Sequence, residues 1–97
     1  MHARVTTVQL QPDKVDDVIS IYQNEVLPVI KAQPGNRGVY LFTDRSTGSG
    51  VSVTLWTSEA EATAYESGGT YHQLVNKLRA LFIAPPTLAN YDVPVHG

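Results

Sequence analysis

GVYLFTDRSTGSGVSVTLWTSEAE, residues 38–61, holds two apolar runs rich in β-branched and aromatic residues on either side of a small polar linker. Val39–Asp44 and Val51–Thr57 read as strands. Between them, Arg45-Ser46-Thr47-Gly48-Ser49-Gly50 supplies the glycines and short polar side chains that close a hairpin. Side chains alternate across a strand, so Val39 and Leu41 point one way and Tyr40 and Phe42 the other, while Val51, Val53 and Leu55 oppose Trp56. Both faces of the hairpin therefore carry large apolar groups. Ser58-Glu59-Ala60-Glu61 has the S-x-x-E spacing of a capping box, which predicts a helix from Glu59 to about Ser67, where Gly68-Gly69 interrupts it.

Upstream of the hairpin, Arg4–Leu10 reads as a strand closed by Pro12. Val15, Val18, Ile19, Tyr22, Val26, Val29 and Ile30 then recur at spacings of three and four, the signature of an amphipathic helix. Asp13, Asp16 and Asp17 place negative charge at its positive end. Pro28 removes one backbone donor and predicts a kink in the last turn, and Pro34-Gly35-Asn36 ends the element. Downstream, Tyr71, Leu74, Val75, Leu78, Leu81 and Phe82 form a second helical stripe that Pro85-Pro86 stops. Thr87–Val95 reads as the last strand, with Pro94 marking a sheet edge or the end of pairing. The order strand, helix, strand, strand, helix, strand is the split βαβ pattern of a ferredoxin-like α+β domain, in which two helices cover one face of a four-stranded, antiparallel-type sheet. Because both sheet faces are apolar and only one is covered, the other calls for a partner, most simply a second copy of the chain.

Ninety-seven residues make one domain, 1–97, with a single core. A hydrophobic fraction of 42% against 16% charged residues is that of a globular chain. The net charge of −2 and the absence of a Lys/Arg cluster argue against nucleic acid and anionic membranes as partners. There is no cysteine, which removes disulfides, thiolate nucleophiles and Cys-ligated metals. Met1–Thr7 lacks the apolar core of a secretion signal, so a cytoplasmic location is expected. No phosphate loop, G-x-S-x-G elbow or H-E-x-x-H motif is present, which leaves hydrolase and metalloprotease readings without support. No metal site is expected, since His2, His72 and His96 share no ligand spacing.

The element order, Pro34-Gly35-Asn36-Arg37-Gly38 leading into the second strand, and Leu55-Trp56-Thr57-Ser58-Glu59 at the strand-to-helix junction resemble the antibiotic biosynthesis monooxygenase family over nearly the whole chain. The resemblance implies a dimer whose sheets close into an α/β barrel, which agrees with the uncovered apolar face. It also implies an oxygenase with no metal or flavin cofactor, acting on a small planar phenol or quinol in a pocket between sheet and helices. There the substrate anion would pass an electron to dioxygen while the protein supplies shape, hydrogen bonds and a base. Haem-degrading relatives in the same superfamily carry an asparagine in the first strand, a helix tryptophan and a haem-ligating histidine. Thr6 and Thr7, Tyr65 and Val75 stand at those places here, which weakens a haem reading.

His72 is the only histidine away from the termini and the candidate base or anion partner. At about 100° per residue it falls roughly 120° from the centre of the Tyr71–Phe82 stripe, so a solvated edge histidine is the competing reading. Tyr22, Trp56 and Tyr65 are the candidate substrate-binding residues: Tyr22 reads equally as core, Trp56 more readily as core or interface, and Tyr65, one turn before the Gly68-Gly69 break, as a residue at a pocket mouth. His2 and His96 sit in segments expected to be mobile. The competing function is a dimeric small-molecule-binding or stress-response domain that uses the same pocket without chemistry.

Overall fold

The run of strand residues begins earlier than alternation alone suggests. In the computed structural model, which describes residues 1–97, β1 spans His2–Gln9. His2 is thus not in a mobile segment. It is 5% exposed, it pairs in register with Trp56 and Asp92, and its Nε2 lies 3.0 Å from Asn90 Oδ1. A 3₁₀ turn at Pro12–Lys14 leads into α1, Val15–Ile21.

Pro28 acts as expected, by a specific route. Without its N–H the α-helical ladder cannot continue, and the backbone widens into a π-helical turn over Tyr22–Val26. There Leu27 N–H reaches back to the Tyr22 carbonyl, five residues earlier, before α2 resumes over Leu27–Lys31. The second strand, β2, spans Asn36–Asp44, and β3 spans Ser49–Trp56. The earlier start of β2 is held by the Asn36 amide, which donates to the Leu55 carbonyl at 3.2 Å, with a bulge at Arg37. Helix α3, Glu59–Ser67, begins where the capping spacing predicts, with Glu61 N–H donating to Ser58 Oγ at 3.3 Å. Gly68 takes an extended conformation and separates α3 from α4, Gly69–Leu78. The last strand, β4, spans Thr87–Asp92 and stops before Pro94.

All pairings are antiparallel and the strand order is β2-β3-β1-β4. Since β3 is antiparallel to both neighbours, β1 and β2 run parallel with β3 between them, which is the split βαβ arrangement. Helix α2 packs on β2, α3 packs on β1 and β3, and α1 meets α4, so the helices share one face. The register tells which face that is. Val39, Thr54, Arg4 and Asn90 form one row across it, and Leu41, Ser52, Thr6 and Leu88 the next. The core between sheet and helices is closed by Leu10, Val15, Val18 and Trp56, all 2% exposed or less. On the opposite face run the rows Tyr40–Val53–Val5–Ala89 and Gly38–Leu55–Ala3–Tyr91. Tyr40, Phe42 and Tyr91 there are 52%, 55% and 57% exposed. No helix is long and apolar enough to cross a membrane.

The hairpin turn depends on one glycine. Gly48 sits at φ +77°, donates its N–H to the Asp44 carbonyl at 2.8 Å and accepts from Leu10 N–H at 2.8 Å. A side chain there would be strained by the backbone and would strike the Leu10 carbonyl oxygen. Gly69 opens α4 with no atom within 4 Å of where a Cβ would stand. Chemical denaturation of Gly48→Ala should therefore show a loss of about 2 kcal/mol, while Gly69→Ala should gain roughly 0.5 kcal/mol. Equal effects would contradict the assigned turn and helix start.

Candidate functional site

Strand alternation directs Arg4, Thr6 and Val8 of β1 toward the helices, together with Ser52 and Thr54 of β3 and Leu41 of β2. These side chains floor a cavity of about 80 Å³, and α1, the π-turn, α3 and α4 roof it. The lining is mostly hydrocarbon, interrupted by a few polar groups. A second space of about 240 Å³ lies toward the β2 edge, and Tyr22 and Leu41 line both. The π-turn positions Tyr22 on the shared wall and Val26 in the first cavity, as such turns often do beside functional sites.

The polar groups form two sets. Tyr22 Oη and Ser52 Oγ share a hydrogen bond of 2.7 Å between helix and sheet. Burial raises the Tyr22 phenol above its ordinary range, and the Ser52 bond only partly offsets this. The second set centres on Arg4, which is 3% exposed. Its Nε donates to Glu66 Oε2 of α3 at 3.0 Å, and its guanidinium lies over the Tyr71 ring, 4.5 Å from the centroid. Burial opposes the Arg4 charge, but Glu66 and Tyr71 outweigh that penalty and strengthen its hold on the proton. The Nη2 of Arg4 is buried without a hydrogen-bond partner, as is Nδ1 of His2.

An aromatic column backs the cation. Trp56 stacks on Tyr65 at 5.0 Å, and Tyr65 meets the edge of Tyr71 at 5.6 Å. Trp56 is wholly buried, donates Nε1–H to Thr54 Oγ1 at 2.9 Å, and stands behind the cavity rather than in its lining. Tyr65 and Tyr22 do line the cavity, and burial drives the Tyr65 phenol far above its ordinary range. His72 does not line it. Its side chain is exposed on the outer side of α4, against Tyr71 at 5.5 Å, because the helical rotation that turns Tyr71 inward turns its neighbour out. The structure thus brings Tyr22 and Tyr65 to one cavity, sets Trp56 behind it and leaves His72 outside. Arg4, Ser52 and Tyr71 join the site without having stood out as candidates. The available signal was Arg4 itself, a charge at an inward position of a β-branched strand. No carboxylate, histidine or lysine lines the cavity. No group of three or more His, Cys, Asp or Glu side chains comes together to hold a metal ion.

Residues 1–77 match the model of the family described as antibiotic biosynthesis monooxygenase. The chain belongs to that family. A solved antibiotic biosynthesis monooxygenase superposes with a TM-score of 0.78 at 20% identity, covering 96% of this chain and 98% of that one. A conserved protein from Methanosarcina mazei Go1 superposes with a TM-score of 0.78 at 12% identity, covering 94% and 91%. At such identities these likenesses concern the fold alone. An uncharacterized protein of Mycobacterium tuberculosis, found in two strains, is 34% identical over 61 residues, 62% of this chain. That match spans only 27% of the mycobacterial protein's length. Family membership places this chain among proteins named for oxygenation, and its cavity lies between sheet and helices.

The two buried phenols make an alkaline test. A phenol whose folded value is raised binds its proton more tightly when folded, so its contribution is intact below about pH 10 and is lost as pH climbs through the folded value. In an ultraviolet titration of the five tyrosines, Tyr22 and Tyr65 should ionise last, with stability falling above pH 10. The late phase should diminish in Tyr22→Phe and in Tyr65→Phe. A late phase unchanged in both variants would contradict their burial.

Proposed function

We propose that this chain is a cofactor-independent monooxygenase that oxidises a small planar phenol or quinol in the cavity beneath Tyr22, Tyr65 and Tyr71. The observation that carries the reading is an apolar cavity crossed by a buried cation and phenolic donors in a chain of this family. The aromatic side chains would hold a flat ring. Arg4 and the Tyr22 hydroxyl would steady a negative oxygen, since Tyr22, held protonated by burial, serves as a donor and not as a base. In the reaction the substrate anion gives an electron to dioxygen and the two combine at ring carbon. One oxygen atom then stays as the new carbonyl, and the second leaves as water with the ring hydrogen and one proton from solvent.

A second reading, a binding domain without chemistry, draws support from the lack of any carboxylate or histidine in the lining. Oxygen uptake separates the two. With a one-ring phenol such as 2,6-dimethylphenol and no added cofactor, the oxygenase reading expects dioxygen consumption above the protein-free rate, with a single ¹⁸O atom from labelled dioxygen in the quinone. Binding without uptake would favour the second reading. Because His72 lies outside the cavity, His72→Ala should keep turnover within about threefold, and a loss of about 100-fold would make His72 the base.

The working unit we propose is a homodimer joined through the open sheet face. Tyr40, Phe42 and Tyr91, flanked by Val5, Val53 and Leu55, form the kind of apolar patch that monomers seldom expose. A second copy is the natural cover, since a two-fold axis makes such a patch self-complementary. Sedimentation should find a dimer at micromolar concentration, converted to monomer by Phe42→Glu. A wild-type monomer would overturn this assignment.

A further inference from the structure

Arg4 is unusual among the lining residues because its bonding is incomplete. A guanidinium carries five N–H donors and stays charged at any pH the fold survives. Here one donor, Nε, is taken by Glu66, the guanidinium rests on the Tyr71 ring, and Nη2 is enclosed without a hydrogen-bond acceptor. Buried donors are nearly always satisfied, and a charged one left unpaired is costly, so such a group in a cavity wall marks where an acceptor belongs. The remaining polar lining consists of hydroxyls on Thr6, Ser52, Thr54 and the three tyrosines, none of which brings negative charge. Glu66, 37% exposed, shares its own charge with solvent and reaches Arg4 on one edge only.

We infer that the cavity takes its ligand as an anion, a small and otherwise apolar molecule whose single oxyanion, carboxylate or ionised phenol or enol, is received by Arg4. The inference rests on the reading of the cavity as a ligand site and specifies its substrate class. It also explains how an oxygenase can work with no base in the cavity lining, because a substrate that arrives ionised needs none removed there. Size narrows the class further. About 80 Å³ is roughly half the room that holds a benzene ring, so a one-ring ligand requires the Tyr22–Leu41 wall to yield toward the neighbouring space of about 240 Å³.

Calorimetry on the full chain with matched pairs tests this. Isovalerate and isovaleramide differ in charge at nearly constant shape, and 4-nitrophenol passes from neutral to anion near neutral pH. The expected result is at least about 10-fold tighter binding of isovalerate than of its amide, or a similar rise in 4-nitrophenol affinity as it ionises. Either pair showing the preference supports the inference, and which one does identifies the oxyanion. Arg4→Met should reduce the preference to within about twofold while retaining the neutral ligand. Should that variant fail to fold, Glu66→Gln carries the test at a half-exposed position. It removes the competing carboxylate and should tighten anion binding about threefold without affecting the neutral partner. Equal wild-type affinities for anion and neutral partner would overturn the inference and leave the ligand cavity standing. Failure of every probe to bind would overturn both.

Discussion

The sheet buries its more polar face. Arg4, Thr6, Ser52 and Thr54 lie beneath the helices, while Val5, Val51, Val53, Leu55, Tyr40 and Phe42 lie on the side the helices leave open. A sheet that only had to close its own core would do the reverse, since apolar area removed from water is the main stabilising term and buried polar atoms must each find a partner. Helix placement is not free to choose, because right-handed crossovers put both helical layers on one side of a split βαβ sheet. The polar strip is therefore tolerated through two pairings that span the layers, Tyr22 to Ser52 and Arg4 to Glu66, and one within β3, Trp56 to Thr54. Where those pairings stop short of filling space, a cavity remains.

This inversion links the two halves of the functional reading. The covered face supplies a water-poor space with a cation and phenolic donors, and the open face supplies the surface for a second copy. Pro28 contributes to the first. By denying the helix one N–H it forces the π-turn that sets Tyr22 at the wall shared by both cavities and Val26 in the lining of the first. The aromatic column Trp56–Tyr65–Tyr71 contributes as well, since it presents a ring face on which the Arg4 guanidinium rests.

Much of the fold was legible in the residues. The capping serine at position 58, the Gly68-Gly69 break and the alternation through the hairpin lead directly to α3, α4, β2 and β3. The sheet face that meets the helices was not legible, because alternation separates two apolar faces and says nothing of which is covered. Extension of β1 to His2 was hidden as well, since only long-range pairing with Trp56 and Asp92 orders that end. Of the candidate site, Tyr22 and Tyr65 could be read from helical spacing, whereas Trp56 proved to stand behind the cavity and His72 outside it. Arg4 escaped notice because a lone arginine near a chain start is ordinarily a surface residue, and its partners Glu66 and Tyr71 lie more than sixty positions away.

The central claim, that Arg4 is buried with its bonding incomplete, is open to a direct spectroscopic check. Proton–nitrogen NMR of the four arginine side chains in the free protein reads their exchange with solvent one by one. The account predicts that the Arg4 Nε–H exchanges far more slowly than those of Arg37, Arg45 and Arg79, and that Glu66→Gln weakens this protection. Four side chains exchanging at the same rapid rate would place Arg4 in water and contradict the site.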